Sequence, residues 1–142
     1  MTVPARISLI TLGVRDVARS TAFYEAIGWQ RAVASNADVT FIATADSVLG
    51  LWSHDALAAD FGHDGVAPPQ FRGVSLAINV ESEAEVDRVV EEMHRAGGAV
   101  VKPPGRVFWG GYTGHVTDPD GHCWEIAHNP GFAFAPDGSL QL

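Results

Sequence analysis

Cysteine is nearly absent, with Cys123 the only one in 142 residues. A single thiol excludes an intramolecular disulfide and a cysteine-rich zinc site, so any chemistry has to come from other side chains. Positive charge is scarce as well: 9 Lys and Arg stand against 17 Asp and Glu, a formal net charge of -8. A surface of that sign repels phosphate backbones, which argues against nucleic acid as a partner and favours a neutral or cationic small molecule. No apolar run approaches the roughly 20 residues that a bilayer span requires, and the first residues lack the basic start and apolar stretch of a signal peptide. A cytoplasmic protein without a membrane partner is expected.

What remains is the make-up of a folded domain, 46% apolar and only 18% charged, with a mean hydropathy of +0.07. It matches one domain over 1–142, large enough to bury its own core. Residues 7–14 read as a buried strand that ends at Asp16, a helix N-cap. Val17, Thr21, Tyr24 and Ile27 then recur at helical spacing, and Gly28 stops the helix. Strands over 39–44 and 47–52 follow, and 29–34 is counted as a further strand, so that 6–52 forms a βαβββ module.

The same order starts again after a Gly-, Pro- and Asp-rich linker at 53–72 that carries a short helix. In the second module, 73–130, a strand over 74–80 leads into Ser82 and Glu85, spaced as a capping box. Val86, Val89, Val90, Met93 and Ala96 give the buried stripe of the second helix. A strand over 99–102 breaks at Pro103-Pro104-Gly105, and two final strands flank the turn Asp118-Pro119-Asp120-Gly121. Residues 131–142 are left as a C-terminal tail. The fold expected is α+β: two tandem βαβββ modules forming one curved eight-stranded sheet, with helices outside and a ligand cavity inside.

Leu12-Gly13-Val14-Arg15-Asp16, Ser20, Phe23-Tyr24-Glu25 and Gly28 in the first half, with Asp118-Pro119-Asp120-Gly121-His122 and Trp124-Glu125 in the second, resemble the vicinal oxygen chelate superfamily. It includes glyoxalase I, extradiol dioxygenases, fosfomycin-resistance enzymes and bleomycin-resistance proteins. The resemblance implies a homodimer, and in the family's enzymes a divalent metal held by His, Gln or Glu, two from each module. Matched by motif, those positions fall here on Leu9, Gly50, Ser75 and Glu125. Leucine and glycine offer no donor atom, a serine hydroxyl is a poor divalent ligand, and one carboxylate alone does not make a metal site. No metal or other cofactor is therefore expected, and the character is closest to the metal-free drug-binding members.

Of 6 histidines, His115 is singled out. Across the strand from Glu125 it makes either a pair of proton-active groups or a hydrogen bond that satisfies a half-buried carboxylate. Strand alternation puts Gly50, Trp52 and Phe41 on one face, where Trp52 either contacts a ligand or fills core. Phe108 and Trp109, with the flexible pair Gly110-Gly111 and then Tyr112, read as a mouth or lid. The expected ligand site is thus Leu9, Phe41, Gly50, Trp52, Ser75, Phe108, Trp109, Tyr112, His115 and Glu125, with no catalytic residue assigned. Two functions stay open: metal-independent sequestration of a largely aromatic small molecule, of the antibiotic- or toxin-resistance type, or a superfamily enzyme (lyase, isomerase or dioxygenase) using His115 and Glu125 as acid and base or as metal ligands.

Overall fold

The structure is a computed structural model and describes residues 2–142. Strand β1 (Leu9–Val14) leads into helix α1 (Val17–Ala26), capped by Asp16, whose carboxylate accepts from the Arg19 N–H. The helix buries Ser20, Thr21, Phe23 and Tyr24. β2 (Val39–Ala43) and β3 (Val48–Ser53) complete a three-stranded sheet in the order β1-β3-β2, with β1 parallel to β3. Helix α2 (His54–Asp60) follows directly, capped by Ser53.

The second half repeats the plan. β4 (Ser75–Asn79) precedes α3 (Glu83–Arg95), where the Ser82 hydroxyl accepts from the Glu85 N–H and the Glu85 carboxylate accepts in turn from the Glu81 N–H. β5 (Ala99–Arg106), β6 (Tyr112–Thr117) and β7 (Cys123–His128) form a four-stranded sheet with β4, in the order β4-β7-β6-β5. Pro103 and Pro104 do not end β5. They sit in an edge strand, where a missing N–H costs no ladder bond, and the register shifts around them instead.

The expectation of one curved eight-stranded sheet is corrected by this topology. The chain forms three separate sheets of three, four and two strands, none of them closed or curled. One cause lies in 29–34, which makes a single bridge, Arg31 to Ile42, because the chain turns at once through bonds from Ala32 N to Phe41 O and from Ser35 N to Ala32 O. The other is the seam: β1 and β4 are both edge strands, and side chains rather than backbone bonds separate them. The last residues add a small hairpin of their own, β8 (Ala133–Phe134) and β9 (Leu140–Gln141).

The buried core runs across the two halves. Leu12, Val14, Leu49 and Leu51 pack under α1, while Val86, Val90 and Met93 of α3 pack on Val116 and Ile126. Between them Tyr24 stacks on Trp29, with ring centroids 5.7 Å apart, and both rings meet Trp124 edge-on. Such aromatic contacts add about 0.5–1.5 kcal/mol each beyond the area they bury. Among the described residues no helix is long and apolar enough to cross a membrane.

Candidate functional site

Side-chain alternation gives each sheet a face covered by α1 or α3 and an opposite face, open except where α2 lies over Gly13 of the first sheet. On the first sheet, Leu12, Leu49, Leu51 and Ile42 turn toward α1. The opposite face carries Leu9, Thr11 and Gly13 from β1, Gly50 and Trp52 from β3, and Phe41 from β2, because Thr11 and Phe41 both pair with Gly50 and Gly13 pairs with Trp52. Leu9 remains 46% exposed, and Phe41 and Trp52 are half-buried. Around Gly50 the fit is close but not strained: a Cβ there would meet Leu9 Cδ1 and Thr11 Oγ1 at 3.4 Å. The result is a hydrocarbon and aromatic surface with one hydroxyl on it.

On the second sheet the open face carries Ser75 and Ala77 from β4, Cys123 and Glu125 from β7, and His115 and Thr117 from β6. His115 and Glu125 are register partners, with His115 Nε2 3.4 Å from Glu125 Oε2, each side chain about one-third exposed (35% and 36%). His115 Nδ1 is buried without a hydrogen-bond partner. Lys102 of β5 pairs with His115 on its other side, so a cation, an imidazole and a carboxylate lie in a row across three strands.

The structure therefore brings Leu9, Phe41, Gly50 and Trp52 together on one face, and Ser75, His115 and Glu125 on another. Three further residues stand apart. Tyr112 lies on the helix side of its sheet and its hydroxyl donates to Asp87 of α3 at 2.8 Å, a bond that raises the phenol's pKa above its ordinary value. Phe108 is fully exposed at the tip of the β5–β6 loop. Trp109, half exposed, folds its ring over Gly111, where a Cβ would have to displace the indole, and Gly110 holds φ +93° in the turn beside it.

The sequence reads His54 and His122 as solvated residues and singles out nothing at Arg72, but all three side chains are bonded within the fold. His122 joins the halves by donating from Nε2 to Gly13 O at 2.8 Å, while Arg72 donates from Nη1 to His122 Nδ1 at 3.2 Å and from Nη2 to Asp120 O at 2.9 Å. Both partners together demand the Nε2–H tautomer. His54 donates to Val66 O at 2.8 Å and folds the linker back onto α2. A histidine in a hairpin and an arginine in a linker carry no local signal of such contacts.

The sequence matches the family described as the Glyoxalase/Bleomycin resistance protein/Dioxygenase superfamily over residues 6–126. The chain belongs to this superfamily. A glyoxalase-related enzyme from Fulvimarina pelagi is similar over 98% of this chain and 99% of its own, with 37% identity and a TM-score of 0.86. A glyoxalase/bleomycin resistance protein/dioxygenase family enzyme from Burkholderia phytofirmans PsJN has 21% identity, covers 87% of this chain and 98% of its own, and gives a TM-score of 0.78. Lactoylglutathione lyase from Agrobacterium tumefaciens has 20% identity over 89% of this chain and 95% of its own, with a TM-score of 0.66. The last two speak to the fold alone. No curated protein matches the sequence.

The divalent metal that the superfamily's enzymes imply does not fit the residues present. Leu9 and Gly50 contribute no donor atom and Ser75 only a hydroxyl, which leaves Glu125 and His115 as the one close pair of donors on the open faces, with the Cys123 thiol two residues along β7. Among the described residues no three of His, Cys, Asp and Glu are grouped closely enough to hold a metal ion. Two protein ligands fall short of the three or four that zinc takes in its usual sites.

Proposed function

We propose that this superfamily member binds a largely aromatic small molecule and sequesters it unchanged, without a metal, as a homodimer in the cytoplasm. One observation carries the reading: the open face of the first sheet presents Leu9, Phe41 and Trp52 around the bare backbone of Gly50, with no acid, base or metal donor among them. A planar ligand laid on this face stacks on Trp52 and Phe41, each ring adding about 0.5–1.5 kcal/mol beyond area burial. Leu9 supplies hydrophobic contact at roughly 25 cal/mol per Å² covered. Glu125, on the open face of the second sheet, is the anionic anchor for an amine or other hydrogen-bond donor of a ligand that reaches across the seam. A thermal-shift survey of aromatic natural products, followed by quenching of tryptophan emission, tests it. Stabilisation by such a compound supports the reading, and stabilisation only by divalent ions counts against it.

A second reading, an enzyme with His115 and Glu125 as base and acid, is favoured by their 3.4 Å approach and by the description of the Fulvimarina pelagi relative as an enzyme. It predicts turnover that His115→Ala abolishes.

A further inference from the structure

At the seam between the two larger sheets lies a cavity of about 340 Å³, lined by none of the residues of the two open faces described above except Thr11, Gly13 and Cys123. Its volume falls within the roughly 300–1,000 Å³ of ordinary small-ligand pockets. Ile10 and Leu12 of β1, Leu76 of β4, Leu57 of α2, and Pro68 and Pro69 of the linker form its apolar wall. Gly13 makes the roof possible. A Cβ there would stand 3.2 Å from His54 Cα and 3.3 Å from Leu57 Cδ2, so the missing side chain lets α2 lie close over β1 without crowding.

One cation faces this apolar space. Arg72 lines the cavity, is half-buried, and forms no ion pair among the described residues. Its two hydrogen bonds go to neutral acceptors, Asp120 O and His122 Nδ1. Three of its five N–H donors are left over. The two bonds fix the plane of the guanidinium, which is the pre-organisation that a two-pronged carboxylate contact needs. Asp55, Asp64 and Asp120 line a neighbouring cleft that Arg72 also lines; none of them forms an ion pair with it, and Asp120 is paired with Arg19 instead. A half-buried guanidinium without a counter-ion, beside hydrocarbon walls, is complementary to a molecule with an apolar body and an anionic head.

We propose that the seam cavity is a second ligand site, separate from the open face, and that it takes a small monocarboxylate with an apolar body, its carboxylate on Arg72. The site rests on this cavity and stands whether or not the chain sequesters an aromatic ligand elsewhere.

The test titrates 3-cyclohexylpropanoate and its neutral counterpart 3-cyclohexylpropanamide, which have no aromatic ring to stack on the open face, into the full chain by calorimetry, and follows iodoacetamide labelling of Cys123 by mass spectrometry. The acid is expected to bind at least about tenfold more tightly than the amide, since only the acid makes the charge-assisted contact, and to slow labelling of Cys123. Arg72→Gln should remove the preference for the acid, and Leu57→Trp, which fills the cavity from its apolar side, should weaken both compounds. Trp52→Ala should change neither. Equal binding of acid and amide, no binding at millimolar concentration, an unaltered preference in Arg72→Gln or an unaltered affinity in Leu57→Trp overturns the proposal. Binding lost in Trp52→Ala but kept in Arg72→Gln puts the compound on the open face, which sinks the cavity site and leaves sequestration standing.

Discussion

The indole N–H of Trp124 donates to the hydroxyl of Tyr24 at 3.1 Å, joining β7 of the second module to α1 of the first across 100 positions of sequence. The same Tyr24 hydroxyl donates to Asp118 Oδ2 at 2.7 Å, while Asp118 Oδ1 accepts from the backbone N–H groups of Asp120 and His122. One buried chain of bonds thus fixes the turn between β6 and β7 against the first helix. The DPDG turn and the Phe23-Tyr24 pair are tied to each other here.

Replacing Tyr24 with Phe leaves Asp118 Oδ2 and Trp124 Nε1 buried with one partner fewer, at a cost of about 1–3 kcal/mol in urea unfolding. The effect depends on pH. Burial, and then the charge of Asp118, hold the folded phenol far above its ordinary value of 10.0. A group whose pKa is raised by folding stabilises fully below its unfolded pKa and loses that contribution as pH rises toward the folded one. Wild-type stability should therefore fall above about pH 10, the ordinary tyrosine range, and Tyr24→Phe should fall less steeply. An equal slope in the two proteins would count against this account.

Two glycine substitutions should separate sharply. At Gly98 a Cβ would come within 2.8 Å of Met93 O and 2.9 Å of Thr117 O, both backbone atoms that cannot swing away. Gly98→Ala should cost about 1–3 kcal/mol as an overpacked site. Gly50→Ala meets only side chains of β1 at 3.4 Å, and should stay within roughly 0.5 kcal/mol. Thermal unfolding of the two variants side by side checks the contrast.

His115→Ala and Glu125→Gln distinguish the two functional readings. Under sequestration, His115→Ala leaves the affinity for an aromatic ligand within about threefold, and Glu125→Gln weakens only ligands that bear an amine or similar donor, by an amount in the ordinary range for a hydrogen bond to a charged group. Under the enzyme reading, turnover is present in the wild type and lost in His115→Ala. Product analysis by mass spectrometry decides.

Leu9 on the open face of the first sheet is 46% exposed and Val101 in the edge strand β5 is 66% exposed, apolar surface of the kind that a second chain covers. Sedimentation equilibrium at micromolar concentration should return a species of two 15.1 kDa chains. A single-chain mass would remove the homodimer from the proposal.

Local patterns carried most of the secondary structure. The Asp16 and Ser82 caps, the stripes of α1 and α3 and the strands over 39–44 and 47–52 fall within two residues of the elements observed. Family membership was legible for the same reason, because its motifs sit at caps and turns. The joining of strands was not: nothing local in 29–34 says that the backbone turns back to Phe41 instead of extending, and the gap between β1 and β4 depends on contacts about 65 residues apart, far beyond any local period. The open faces followed from alternation, which is why Leu9, Phe41, Gly50 and Trp52 share a side. Tyr112 was misplaced against the same rule: it stands three residues before His115 in one strand, so alternation turns it to the opposite, helix-covered face. Arg72 and His122 were invisible because their roles exist only once the seam is formed.

The most direct test of sequestration is a single equilibrium dialysis against aromatic natural products in the presence of EDTA, wild type beside Trp52→Ala, with mass spectrometry of what is recovered. The account predicts that a retained compound returns chemically unchanged, is held equally well without divalent ions, and loses about tenfold in affinity, roughly 1.4 kcal/mol, in Trp52→Ala. Retention that requires metal, recovery of a converted product, or full affinity in Trp52→Ala would contradict it.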